Sequence, residues 1–141
     1  MFTGYHYTSL ECWRKIEKDG LVPYTIKRPI LEQYIGTESA VGVWVWLEKL
    51  TGISHAGSII YQMAMKGVQE VVLLELDYDQ DDCLTPEADT YKYLVLPHNG
   101  TIENLEYHKG GDRAVIVTKT IPTEQIKLIG QYNLAQAWEG I

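Results

Sequence analysis

The chain has 141 residues, 45% of them hydrophobic, and its 19 acidic and 12 basic side chains leave a net charge of −7. This length and composition predict one globular domain over residues 1–141. The negative charge argues against bulk attraction to nucleic acid, because backbone phosphates repel such a surface. No apolar run approaches the roughly 20 residues of a membrane span, no basic-then-apolar signal sequence opens the chain, and Cys12 and Cys83 have no metal-ligand spacing. We therefore expect a cytoplasmic protein without a membrane partner.

The first predicted element is a short aromatic strand that runs directly into a helix. The run from Tyr5 to Ser9 is β-prone and contains a histidine, His6. Thr8, with Glu11 three residues later, is the capping-box pattern that begins a helix, and Gly20 is placed to end that helix. We therefore expect His6 at a strand end beside a helix N-terminus, where backbone N–H groups favour a phosphate or a polarised amide.

A long connection, a strand and a second helix follow. Residues 22–41 show no sustained hydrophobic period and predict a long loop with a short helical turn over 31–34, typical of a lid or a binding wall. Residues 42–47 alternate valine and tryptophan, which predicts a buried strand with both tryptophans on one face. Residues 51–67 predict a helix that ends at Gly67.

The second half of the chain consists mainly of predicted strands. These strands cover residues 70–77, 91–97, 113–118 and 126–131, and a short terminal helix is predicted over 133–139. With helices in the first half and strands in the second, the pattern predicts an α+β domain with mainly antiparallel pairing.

An acidic loop is the first candidate for a metal site. Asp77, Asp79 and Asp81 alternate like the start of a calcium loop, but the sixth and twelfth positions, which need glycine and a bidentate glutamate, hold Asp82 and Ala88. A solvated acidic loop is the better interpretation. The four histidines lack zinc-ligand spacing, and no nucleophile elbow, P-loop or GxGxxG motif occurs.

The remaining motifs resemble the ADP-ribosyltransferase superfamily. Its members open with a His-x-Thr or His-x-Ser strand end, a short helix and a Gly-Leu, as do Tyr5-His6-Tyr7-Thr8-Ser9 and Asp19-Gly20-Leu21 here. Gly42-Val43-Trp44-Val45-Trp46 resembles the second motif, a glycine-hydrophobic-tyrosine strand, and the helix that carries Tyr61 resembles the helix after it. Thr120-Ile121-Pro122-Thr123-Glu124-Gln125-Ile126 resembles the closing Ile-Pro-x-Glu-x-Ile segment of the DNA-modifying toxin branch and of the RNA 2′-phosphotransferases. In order and spacing the resemblance covers most of the chain.

The resemblance implies a split, mainly antiparallel sheet with two short helices. It also implies an enzyme that binds NAD, cleaves the nicotinamide–ribose bond and transfers ADP-ribose to a protein or nucleic acid acceptor. NAD-binding roles follow by resemblance for seven residues: His6 orients a ribose, backbone atoms of Tyr7 hold the carboxamide, Thr8 braces the strand end, Trp44 or Tyr61 stacks on nicotinamide, and Lys27 or Arg28 meets the diphosphate.

The catalytic acid departs from the family pattern. Alignment on the Ile-Pro segment places the family's glutamate at Ala114, and the nearest upstream carboxylates are Asp112, in a predicted Gly-Gly-Asp turn, and Glu106. We expect Asp112, in preference to Glu106, to stabilise the oxocarbenium-like centre. Two alternatives stay open: an RNA 2′-phosphotransferase, which needs no such acid, and a non-catalytic module that binds NAD, ADP-ribose or a partner protein.

Overall fold

The computed structural model describes residues 1–27, 31–32, 36–47, 63–84, 94–96 and 112–134. In this part of the chain the helix Leu10–Asp19 and seven strands form an α+β fold, and residues 31–32 and 63–65 are also helical. Their bounds in chain order are β1 Phe2–Ser9, α1 Leu10–Asp19, β2 Tyr24–Lys27, β3 Ser39–Trp46, β4 Glu70–Tyr78, β5 Leu94–Leu96, β6 Asp112–Val117 and β7 Ile126–Asn133. Within these ranges no helix is both long and apolar enough to cross a membrane.

The strands form one sheet, and every described strand pair is antiparallel. Their order is β5-β6-β3-β1-β4-β7, and β2 pairs with the first half of β3. The N-terminal strand therefore lies at the centre of the sheet, between β3 and β4. The expected α+β class with mainly antiparallel pairing is confirmed.

The hydrophobic core lies between α1 and one face of the sheet. Val43 and Val45 of β3 and alternate residues of β4 share this face, and Ile16 of α1 packs on them. β4 is also buried on its other face, where Val71 and Leu73 lie. A strand covered on both sides is a continuous apolar run, which is why its sequence pattern alone predicted it.

The first helix begins one residue later than the capping-box pattern predicts. Ser9, not Thr8, is the N-cap, and its hydroxyl accepts the backbone N–H of Cys12 at 3.1 Å. Glu11 consequently lies at the second helical position rather than the third, where a capping box needs its glutamate. Gly20 ends the helix as predicted, and its N–H donates to a carbonyl one turn earlier at 2.9 Å.

Two expectations about loops are wrong. The predicted loop over 22–41 contains β2 and the start of β3, because Tyr24–Lys27 pairs with Ser39–Gly42. Asp112 was expected in a turn but is the first residue of β6, paired with Leu96.

The other predicted elements agree with the structure as far as it describes them. β3, β4, β6 and β7 match the predicted strands, and β5 lies within the predicted strand 91–97. Residues 63–65 are helical and turn at Gly67. The rest of that helix lies outside the described residues. The predicted terminal helix is wrong at its first residue, because Asn133 is the last residue of β7; Leu134 is helical, and residues 135–139 lie outside the described residues.

The sheet opens between β1 and β3. These strands share a single register pair, Tyr5 with Trp46, whereas β1 pairs with β4 along its whole length. Gly4 permits the close approach of the strands at this pair, because a Cβ at Gly4 would clash with Val45 Cγ1 and lie 3.0 Å from the Trp46 carbonyl oxygen. Beyond this pair β1 and β3 diverge, and the candidate site lies at the gap between them.

Candidate functional site

A cleft of about 620 Å³ lies beside this gap. It is bordered by β1, by the face of α1 that carries Cys12 and Lys15, by the connection after Gly20, by β2 and β3, and by Met63 and Lys66. Its size is typical of small-molecule sites. His6, Tyr7, Thr8 and Trp44, four of the sequence-predicted residues, all border it.

Two side chains occupy the place where β1 would otherwise continue to pair with β3. A regular ladder continuing from the Tyr5–Trp46 pair would bond Trp44 to Tyr7 through their backbones. Instead, the Trp44 N–H donates to the Tyr24 hydroxyl oxygen at 3.3 Å, and the Trp44 carbonyl bonds to His6 Nδ1 at 2.7 Å. The imidazole and the phenol thus hold the two strands apart while satisfying the backbone of β3.

The contact with Trp44 determines the tautomer of His6. A carbonyl oxygen accepts only, so Nδ1 must carry the proton and donate it. Burial lowers the pKa of His6 below its ordinary value of 6.5, and the bond to the Trp44 carbonyl, which favours the charged ring, opposes this effect less strongly. The imidazole is therefore neutral at pH 7, and Nε2 is a hydrogen-bond acceptor. Among the described residues Nε2 has no hydrogen-bond partner.

Tyr7 borders the cleft, and its backbone lies on the side of β1 that faces the gap. Because Tyr5 directs its N–H and C=O toward β3, strand alternation directs those of Tyr7 to the same edge. The Tyr7 side chain lies on the face opposite His6, where burial, and to a lesser degree Tyr132, raises the pKa of Tyr7 to about 12. Thr8 is half-buried on the His6 face.

The aromatic wall differs from the one that the sequence predicted. Trp44 and Trp46 border the cleft, but they are only 5% and 6% exposed, and their rings contact each other edge to face with centroids 5.5 Å apart. Tyr61 lies outside the described residues. Tyr24, which was predicted to lie in a loop, borders the cleft, and 41% of its surface is exposed. The aromatic and β-branched run Tyr24-Thr25-Ile26 was the available signal for this short strand.

The cations of the cleft also differ from those expected. Lys27 is exposed at the end of β2 and does not border the cleft, and Arg28 lies outside the described residues. Lys15 on α1 and Lys66 are exposed and do border it. Either can attract an anionic group such as a diphosphate, although Asp19 beside them offsets part of the charge.

The expected catalytic acid is the prediction that the described residues cover least. Ala114, where the resemblance would place a glutamate, is fully buried opposite Trp46. Position 112 lies two residues earlier on β6 and hence on the same strand face. The side chain of Asp112 and the whole of Glu106 lie outside the described residues.

Together these groups can recognise a nucleotide. A neutral Nε2 can accept a hydrogen bond from a sugar hydroxyl, and the two lysines favour phosphate. Searches of protein-family models, curated proteins and solved structures return no match to this chain.

Proposed function

We propose that the protein is an ADP-ribosyltransferase-like enzyme that binds NAD in this cleft. The nicotinamide–ribose C–N bond breaks, nicotinamide leaves with the bonding electrons, and a nucleophile of a macromolecular acceptor forms the new bond to the sugar carbon and gives up its proton. The chain's own residues bind and orient NAD, and a carboxylate, for which Asp112 is our candidate, stabilises the positive charge that develops on the ribose.

His6 carries this proposal. In the described part of the chain it is the one buried residue of the polar and charged types; it borders the cleft, and its Nδ1–H bond to Trp44 leaves Nε2 as a neutral acceptor. A ribose hydroxyl is the complementary donor. Tyr7, one residue away, also borders the cleft, and the family resemblance assigns the nicotinamide carboxamide to its backbone.

A second candidate function, NAD or ADP-ribose binding without turnover, has one observation in its favour. Ala114 is fully buried at the position of the family's glutamate. If Asp112 supplies no acid, the cleft retains its binding groups and lacks the group that promotes bond cleavage.

Nicotinamide release from NAD, in the presence of candidate acceptor lysates, tests the enzyme proposal. We expect the wild-type protein to release nicotinamide and Asp112→Asn to lower the rate by about 100-fold or more, since an electrostatic stabiliser of a transition state has effects of that size. Glu106→Gln is the matched control and should retain the wild-type rate. Binding of NAD without release by the wild type would favour the binding module, and an unchanged rate in Asp112→Asn would remove that residue from the mechanism.

Cys12 reports occupancy of the cleft independently of turnover. Its thiol is exposed on the wall of the cleft, whereas burial, with Asp82 and Asp79, raises the pKa of Cys83 to about 11 and keeps that thiol protonated. In a Cys83→Ser background, we expect NAD at ten times its dissociation constant to slow the reaction of Cys12 with a disulfide reagent by up to about tenfold, because mass action leaves few sites empty. Cys12→Ser should show a slow reaction that NAD does not alter. An unchanged Cys12 rate at saturating NAD would place NAD outside this cleft.

A further inference from the structure

Tyr24 has the geometry of a fixed aromatic platform. Its ring centroid lies 6.4 Å from that of His6, with 58° between the two planes. Tyr24 is held at both ends. Its backbone pairs with Gly42 of β3, and its hydroxyl oxygen accepts a hydrogen bond from the Trp44 N–H. Despite these restraints the residue keeps 41% of its surface exposed, and it borders the cleft.

We propose that Tyr24 is a positioning residue whose ring packs against the planar base on the ribose that His6 holds. The inference rests on the proposed NAD-binding function and adds to it a residue that the family motifs do not assign. A nucleotide base is attached directly to its sugar, so a ribose whose hydroxyl bonds to His6 Nε2 carries its base within a few ångströms of the imidazole. The separation of 6.4 Å between the rings of Tyr24 and His6 leaves the phenol within reach of that base.

The other aromatic residues at the described cleft wall are less suited to this contact. Trp44 and Trp46 are almost fully buried, and the Tyr7 ring lies on the opposite face of β1. Stacking on a tyrosine tolerates different bases, because every base presents a π-face. Adenine and nicotinamide therefore satisfy the same chemistry, and fragments of NAD distinguish them.

The hydroxyl of Tyr24 has a separate role. By accepting the Trp44 N–H it fixes the orientation of the ring before a ligand arrives, so little conformational freedom remains to be lost on binding. Tyr24→Phe keeps the ring and removes this anchor, whereas Tyr24→Leu removes the ring and keeps much of the apolar volume. The two variants separate stacking from preorganisation.

The experiment is calorimetric titration of wild type, Tyr24→Leu, Tyr24→Phe and Thr25→Ala with NAD, ADP-ribose and nicotinamide mononucleotide. We expect Tyr24→Leu to weaken NAD binding by about fivefold or more, the lower end of base–aromatic stacking effects, and Tyr24→Phe to retain most of the affinity. Thr25 is the exposed neighbour on β2 that does not border the cleft, so Thr25→Ala should bind as the wild type does.

The fragments show which base contacts the ring. Loss confined to ADP-ribose assigns adenine to Tyr24, and loss confined to nicotinamide mononucleotide assigns nicotinamide; either result supports the inference. Two results would overturn the inference while leaving NAD binding by the wild type intact. Equal loss of affinity for both fragments would indicate a structural role only, and wild-type affinity for NAD in Tyr24→Leu would show that the ring does not contact the base. Absence of NAD binding by the wild type would instead refute the proposed function and the inference with it.

Discussion

Replacing His6 with alanine is expected to abolish nicotinamide release and to destabilise the fold. The variant leaves the buried Trp44 carbonyl without its 2.7 Å partner and creates a cavity, which together should lower the free energy of unfolding by about 2–4 kcal/mol. Under the proposed function it also removes the acceptor that would orient the ribose. A misplaced substrate reduces turnover by about 100-fold or more, measurable as nicotinamide release and, for stability, by urea denaturation.

Asparagine at the same position separates these two effects. The side-chain amide of His6→Asn can donate a hydrogen bond from near the position of Nδ1, but it has no group at the position of Nε2. We therefore expect this variant to recover most of the stability that His6→Ala loses while binding NAD as poorly. Wild-type NAD affinity in His6→Asn would leave the ring with a structural role alone.

The pH dependence of stability provides an independent check on the same residue. Above the ordinary histidine pKa of 6.5, His6 is neutral in both the folded and the unfolded chain. As the pH falls below 6.5, the unfolded chain binds a proton at this histidine, whereas the folded chain does not, because burial lowers the folded-state pKa of His6. The contribution of His6 to the free energy of unfolding is therefore present above pH 6.5 and is lost as the pH falls toward the folded-state pKa. The stability advantage of wild type over His6→Asn should consequently shrink between pH 7.5 and pH 5.5, as urea denaturation at both values would show.

Among the described glycines with a positive φ, Gly20 is expected to be the most sensitive to alanine, with a loss of about 3 kcal/mol in the free energy of unfolding. Gly20 has φ 78° and ψ −175°, a backbone region occupied almost solely by glycine, with a strain of about 1–3 kcal/mol for other residues. A Cβ at this position would also lie 2.5 Å from the carbonyl oxygen of Ile121. That carbonyl cannot retreat easily, because Leu21 and Ile121 exchange two backbone hydrogen bonds of 2.9 and 3.1 Å.

Gly36 offers a matched control for the backbone strain. It also has a positive φ, 77°, but a Cβ there would meet no atom within 4 Å. We expect Gly36→Ala to lower the free energy of unfolding by about 1 kcal/mol, the cost of the left-handed conformation alone. Urea denaturation of both variants then shows how much Gly20→Ala loses beyond the cost of a positive φ, and equal losses would show that neither the ψ of Gly20 nor the contact with Ile121 adds to that cost.

The sequence predicted the elements whose residues carry a strong local pattern. β4 is a continuous apolar run, and β3 alternates valine and tryptophan, so each was expected near its observed bounds. β2 has four residues and one buried side chain, Ile26, which is too short for a period to appear; it is a strand because β3 pairs with it. The N-cap was assigned to Thr8 because threonine and serine give the same signal, and the end of β1 decides between them.

Parts of the candidate site depend on contacts that no local pattern contains. His6 was expected at the end of the first strand, but its bond to Trp44 joins residues 38 positions apart and exists because β1 and β3 diverge. Tyr24 was missed for the same reason, since its place beside His6 follows from pairing with β3. Lys15 and Lys66 reach the cleft from two separate segments, whereas adjacency in sequence had favoured Lys27 and Arg28.

The central place of β1 determines when the site can form during synthesis. Phe2 at the start of β1 pairs with Tyr78 at the end of β4, so the ribosome, at roughly 5–20 residues per second, needs about 4–15 s to supply the partner of the first strand. The bridge between Leu21, which borders the cleft, and Ile121 requires a still later segment. A nascent chain therefore exposes its aromatic first strand for seconds, and the cleft is complete only after most of the chain has been made.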